Sequence, residues 1–166
     1  MAKNAAKIAW LCAAVVVAVV LAAALYYMAV QRPLWNERER AARLALSETP
    51  LESIDRTYVF NGEASYRVMI GKDRDGREWI VWVDDEGGVL TAAMDEGISE
   101  QEVRNLLRER HPEADVLRAV PGFKDGETVW EVYYRQRDKE GGARLYYDYY
   151  RFRDGEWLET YTLAKK

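Results

Sequence analysis

Cysteine is almost absent from this chain: Cys12 is the single one among 166 residues. No disulfide can close within residues 34–166, and neither a thiolate metal site nor a thiol nucleophile is possible there. Histidine is as scarce, with His111 alone. It stands at the end of a helical stretch, where the helix dipole favours a cation and a polar ring is easily solvated. Acid–base or nucleophilic work would need a partnering nucleophile or carboxylates at defined distances, and the sequence offers none. His111 therefore reads as a capping or surface residue.

The common machinery of catalysis is missing too: no glycine-rich phosphate loop, no nucleophile elbow, no zinc motif. An EF-hand register placed on Gly76 puts Gly71 in the first position and Trp82 in the twelfth, and on Gly155 it puts Tyr150 and Tyr161 there. Neither set can ligate calcium as that loop requires. The acidic run Asp84-Asp85-Glu86 reads first as a solvated turn and only second as an adventitious cation site. Positive charge is short as well. With Lys3, Lys7 and Arg32 set aside, the 24 basic residues fall to 21 against 28 acidic ones, so residues 34–166 carry a net charge of −7. That balance excludes nucleic acid, whose phosphates need a clustered basic face. No catalytic residue, metal or cofactor is expected, and the chain reads as a non-enzyme.

What is present begins with Ile8–Val30, "IAWLCAAVVVAVVLAAALYYMAV", 23 residues without a charge. At about 1.5 Å per residue such a helix is roughly 35 Å long, enough for a hydrocarbon core of about 30 Å. A cleaved signal peptide has a shorter apolar run and a small-x-small site, which "LYYMAVQRP" does not supply. The stretch is expected to be an uncleaved single-pass anchor, with residues 1–7 before it, Tyr26 and Tyr27 in an interfacial belt, and Cys12 facing lipid or another helix. Flanking charge does not orient it, because Arg32, Arg38, Arg40 and Arg43 follow as closely as Lys3 and Lys7 precede.

Beyond Pro33, Trp35, Ala42, Ala45 and Leu46 have helical spacing, so residues 35–47 are expected to form an amphipathic helix that Pro50 ends at the latest. The period then changes to two. "ESIDRTYVF", "ASYRVMIGK", "REWIVWVDD" and "VLTAAMDE" are separated by Asn61-Gly62, Asp75-Gly76 and Gly87-Gly88, the signals of hairpin turns. At Ser99 the helical period returns. Ser99 and Glu102 form a capping box, Ile98 and Val103 a hydrophobic staple, and Pro112 stops the helix after a stripe of Val103, Leu106 and Leu107. Four more strands follow: "ADVLRAVPGF", "TVWEVYYRQR", "ARLYYDYYRF" and "EWLETYTL", punctuated at Asp125-Gly126, Gly141-Gly142 and Asp154-Gly155. One plan is used twice, over residues 34–97 and 98–166. The repeat aligns Tyr66, Val68 and Ile70 with Trp130, Val132 and Tyr134, and Trp79 and Val81 with Tyr147 and Tyr149.

Modules of about 65 residues bury only about 60% of their unfolded surface and are marginal alone, so the two are expected to pack together. Each should lay its helix on one face of an antiparallel sheet, leaving the other face partly open. Nine tyrosines lie beyond residue 30, seven of them between Tyr133 and Tyr161. Such rings serve either a small core or an interface, and for any single one both readings stand. For the set Tyr146, Tyr150 and Phe152, assigned to an outer face, a protein-binding surface is the expectation.

This architecture resembles the TseB-like cell wall elongation regulators, and "ISEQEVRNLLRERHPEADVLRA" is similar to the opening of a PepSY module. The resemblance implies an α+β chain in which an N-terminal transmembrane helix precedes two tandem cystatin-like, PepSY-like modules, each one helix on a four-stranded antiparallel sheet. It further implies a non-enzymatic protein at the cell membrane, modules on the extracytoplasmic side, that binds a class B penicillin-binding protein during peptidoglycan synthesis. Two other functions remain open: inhibition of a secreted peptidase, as PepSY-like modules do in propeptides, and binding of peptidoglycan or peptide by stacked tyrosines.

Overall fold

The computed structural model describes residues 2–62, 64–137 and 141–163, with the side chains of 2–9, 11–14 and 29–36 outside the description. Two compact units divide the chain, residues 1–40 and 41–166.

Helix α1 (Ala2–Glu48) is continuous over 47 residues. Two separate helices were expected, parted at Pro33; the helix instead runs through that position. Proline's fixed φ is itself helical, and the cost is one lost backbone bond and some local crowding. The expected membrane-spanning helix at 8–30 also requires correction. Among the described residues no helix is long and apolar enough to cross a membrane. Cys12, Lys3, Lys7, Arg32 and Trp35 have side chains outside the described set.

In the second unit, eight strands form two four-stranded antiparallel meanders. The first sheet is β1 (Ser53–Asn61), β2 (Ser65–Lys72), β3 (Glu78–Asp84) and β4 (Val89–Ala93). A short 3-10 turn (Met94–Glu96) leads to α2 (Glu100–Arg110), and the second sheet follows as β5 (Asp115–Lys124), β6 (Glu127–Arg137), β7 (Ala143–Arg151) and β8 (Trp157–Thr162). The turn signals fall where the turns are. At β5–β6, Asp125 (φ 50°) and Gly126 (φ 80°) take the paired positive angles of a tight hairpin.

Each sheet takes a helix on one face. The end of α1 lays Ala41 and Ala45, one turn apart, on Met69, Val81 and Val83, while Leu46, expected in that seam, is exposed. Alanines suit the seam because they let the helix backbone come close to the sheet. On α2 the capping box forms as the sequence indicates: Ser99 N–H donates to Glu102 Oε2 at 2.7 Å, and Glu102 N–H to Ser99 Oγ at 3.2 Å. Val103 and Leu107 are the buried stripe.

The opposite face of the first sheet is the structural pivot of the unit. Phe60, Val68, Ile70, Ile80 and Trp82 are fully buried and share one core with Val103, Leu107, Val129, Trp130 and Val132 of the second half. Strand β5 supplies the closest approach. Trp82 Nε1–H donates to the Pro121 carbonyl at 3.3 Å, the Tyr66 and Phe123 rings meet edge-on at 5.9 Å, and a Cβ on Gly122 would stand 2.3 Å from the Phe60 ring. Farther along, Arg56 pairs with Glu100 at the start of α2, at 2.9 Å.

The duplication is exact in one irregularity. Strand β1 carries a bulge between Ile54 and Arg56, and β5 carries one between Val116 and Arg118, each two residues into its strand. Superposing the bulges sets Met69 against Val132, Val68 against Glu131, Ile70 against Tyr133, Val81 against Asp148 and Trp82 against Tyr149. The alignment read from the sequence was therefore one residue out of step, and a one-residue slip exchanges the two faces of a strand.

Two tests follow from this packing. Gly122→Ala should destabilise residues 41–166 by about 1–3 kcal/mol, because the Phe60 ring has no free side to move to; urea unfolding should report it as an earlier midpoint of one cooperative transition. Ser99→Ala should cost about 1 kcal/mol of helix capping. The Glu102 carboxyl is held below its usual range by the Ser99 backbone and hydroxyl, so its contribution is present above the unfolded value and lost as pH falls through the folded one. The difference in melting between wild type and Ser99→Ala should accordingly narrow in acid.

Candidate functional site

The aromatic second sheet is where candidate functional groups collect, and its two faces differ. On the face that meets α2, Asp148 is fully buried at the position where the first sheet has Val81. Its carboxylate accepts from Thr160 Oγ1 at 2.7 Å, Tyr134 OH at 3.0 Å and Tyr150 OH at 3.3 Å. His111 caps α2 with its backbone N–H on the Leu107 carbonyl at 2.7 Å, and its ring stacks on Tyr134 at 5.3 Å. The ring's Nε2 stands 3.6 Å from Asp148 Oδ2, outside good hydrogen-bond range. Arg110 lies over the Trp157 ring at 3.8 Å.

This cluster resembles an active site in its residue types but not in its state. Burial first, then the Asp148 charge, pushes the Tyr134 and Tyr150 hydroxyls well above the usual tyrosine range. Both remain protonated donors, and Asp148 accepts from three hydroxyls, two on Oδ1 and one on Oδ2. The hydroxyls are committed to Asp148, while His111 Nε2 beside Oδ2 is buried with no hydrogen-bond partner. Among the described residues no group of three His, Cys, Asp or Glu side chains could hold a metal ion.

The structure places the expected surface set in this same layer. Tyr150 and Phe152 are each only 2% exposed, and Tyr146 is half-buried with its ring stacked on Tyr134 at 5.3 Å. Strand alternation puts Tyr146 and Tyr150 beside Asp148 on the helix side, so the outer-face assignment is corrected. Phe152 lies past the end of β7, against Trp130, whose Nε1–H donates to the Ile98 carbonyl at 2.9 Å.

The face away from α2 is buried around Val120, Gly122, Val129, Glu131 and Tyr149, where Phe60 of the first sheet lies against Gly122, and becomes exposed toward Tyr161. One row runs straight across all four strands as Arg118, Tyr133, Tyr147 and Tyr161. The next row is Val120, Glu131, Tyr149 and Glu159. Tyr133 and Tyr147 stack at 4.7 Å, and Tyr149 meets Tyr161 edge-on at 5.8 Å. Glu131 is buried but doubly held, by Arg118 at 2.7 Å and by Tyr149 OH at 2.8 Å. Lys124 on the first strand reaches Glu159 on the last at 2.6 Å, tying β5 to β8 across the curled sheet. The pairing of Arg118 with this row escapes a sequence reading because the bulge at Leu117 carries no glycine or other marker, and without it the parity of β5 cannot be set.

A shallow cleft of about 440 Å³ lies where β3, the 3-10 turn and α2 meet, lined by Arg77, Asp95, Ser99 and Glu102 among others. Its polar groups are already engaged, Arg77 with Asp95 at 2.7 Å and Ser99 with Glu102.

Tyr134→Phe should isolate the role of the Asp148 cluster. Removing one of three hydroxyl donors to a buried carboxylate should cost about 1–3 kcal/mol of stability, read by urea unfolding, with the secondary structure unchanged by circular dichroism.

Comparison with known proteins matches residues 40–84, the end of α1 and the first three strands, to the cell wall elongation regulator TseB-like domain. The YpmB protein from Bacillus subtilis is similar in structure, with 29% sequence identity, a TM-score of 0.64, and 75% of this chain and 96% of that chain covered. No curated protein matches the chain. A domain like that of the TseB-like cell wall elongation regulators thus lies at residues 40–84, and it suggests a role in regulating cell wall elongation.

Proposed function

We propose that this protein regulates cell wall elongation by direct contact with a class B penicillin-binding transpeptidase at the outer face of the cytoplasmic membrane, performing no covalent chemistry of its own. The match over residues 40–84 carries the process. Contact as the means is supported by the way the polar groups are used. Asp148, Tyr134 and Tyr150 are consumed in holding the second sheet together, whereas Tyr147 and Tyr161 lie on a face that α2 does not cover. Tyrosine brings large, stiff contact area with a polar tip, the composition of interface cores.

The test has a cellular arm and a binding arm. Deletion should alter cell width and sensitivity to β-lactams directed at the elongation transpeptidase, and the tagged full chain should co-purify with that enzyme from detergent-treated envelopes. Unchanged width and sensitivity, together with no transpeptidase in the purified material, would refute the proposal.

A further inference from the structure

We infer that His111 and Asp148 form a proton-operated latch: a proton on the imidazole draws Nε2 onto Asp148 Oδ2 and fastens the C-terminal end of α2 to strands β7 and β8, and loss of that proton releases it. The inference is independent of which partner the protein contacts.

Two buried polar atoms face each other there without a good bond between them. His111 Nε2 has no hydrogen-bond partner, and Asp148 Oδ2 stands 3.6 Å away. The carboxylate oxygens are served unequally. Oδ1 takes hydroxyls at 2.7 and 3.0 Å, whereas Oδ2 takes only Tyr150 OH, at 3.3 Å. Buried polar atoms short of partners are costly, and here each is the other's natural complement. The separation of 3.6 Å is that of the released pair. Imidazolium, a donor at both nitrogens, closes it to the about 2.7–2.9 Å of a charge-assisted bond. The ring lies stacked on Tyr134, whose hydroxyl is itself on Oδ1, so the closing movement is a short slide along that ring.

The surrounding charges favour closure. From α2 come the dipole of the last turn, which favours a cation, and Arg110, whose Nε is 3.9 Å from Asp148 Oδ2. Arg110 opposes a second positive charge, but its side chain is 41% exposed while that of Asp148 is fully buried, so water screens the repulsion more than the attraction. Strand β6 presents Tyr134, and β7 presents Tyr146 and Tyr150, with Arg144 one row beyond Tyr146 on the same side. The Tyr134 and Tyr150 hydroxyls stay protonated, as described above. Strand β8 supplies Thr160, β5 supplies the apolar Val116 and Ala119, and past the helix Glu113 is exposed while Asp115 pairs with Arg135. The other end of α2 works in the opposite sense. Its capping box needs a charged Glu102 and fades in acid. Stability gained by holding a proton on His111 is instead complete below the imidazole's unfolded value and is lost as pH rises. Carboxyl groups of unfolded glutamate titrate near about 4.3 and imidazoles near about 6.5, so α2 is fastened at both ends in the mildly acidic interval between.

Two measurements on the full chain decide the matter, and the single histidine keeps both free of overlap. His111→Phe keeps a ring against Tyr134 and cannot take up a proton. The melting temperature of the wild type relative to this variant should rise by at least about 3 °C between about pH 8 and about pH 5.5; the Glu102 cap, common to both chains, cancels. A difference that stays constant, or that shrinks as pH falls, would overturn the inference. In nitrogen-15 NMR of the ring, Nε2–H should appear in acid as a slowly exchanging donor and be lost in mild alkali. An Nε2–H that exchanges freely with water throughout would overturn the inference as well. Asp148→Asn removes the carboxylate charge and should abolish the pH-dependent part of the melting difference; its persistence would assign the effect to the helix dipole and overturn the latch. Should Asp148→Asn not fold, the wild-type NMR result carries the decision.

Discussion

An antiparallel sheet whose two faces are both apolar cannot stand with one helix. The first sheet is in that position: the end of α1 covers Met69, Val81 and Val83 on one side, and Phe60, Val68, Ile70, Ile80 and Trp82 fill the other. Burying large apolar side chains is worth about 1.5–3 kcal/mol each, so leaving that second face in water would forfeit an amount comparable to the whole stability of a small domain, about 5–15 kcal/mol. The second half of the chain is what covers it. Gly122 lets the β5 edge approach the Phe60 ring, Pro121 gives its carbonyl to Trp82, and Glu100 closes the rim on Arg56. The two modules are therefore copies in plan but not in circumstance.

That asymmetry explains how the second copy has diverged. Its equivalent face carries Tyr133, Tyr147, Tyr149 and Glu131 where the first has Ile70, Ile80, Trp82 and Val68. Hydroxyls and a held carboxylate let the outer part of that face meet water, which aliphatic side chains would not. The helix side diverged differently. Asp148 stands where the first sheet has Val81 and accepts from Tyr134, Tyr150 and Thr160, so part of the core is a hydrogen-bonded lattice. Such a lattice fixes one packing of β6, β7 and β8.

Much of this was legible in the residues. Hairpin glycines, the Ser99–Glu102 capping box and the change of period from two to helical and back placed α2 and all eight strands, because those signals are local and each has its own stereochemistry. The faces of the strands were not legible. Strand alternation in β6 and β7 does not say which face α2 covers, so Tyr146 and Tyr150, expected on an outer face, lie with Asp148 on the helix side, while Tyr133 and Tyr147 lie on the other. The N-terminal segment shows the opposite failure. Hydropathy and Pro33 suggested a membrane span followed by a separate helix, whereas α1 is unbroken to Glu48 and no described helix meets the length and apolarity of a span.

The claim most exposed to refutation is that the first sheet is held by the second half. Native-state hydrogen exchange measures it residue by residue, since amides that open only with the whole unit share one opening free energy. The account predicts that Ile70 and Ile80 exchange through the same opening as Val132 and Tyr134, within about 0.5 kcal/mol. An opening of the first sheet about 2 kcal/mol or more below that of the second would contradict it, because the face built around Phe60 and Trp82 would then not depend on what covers it.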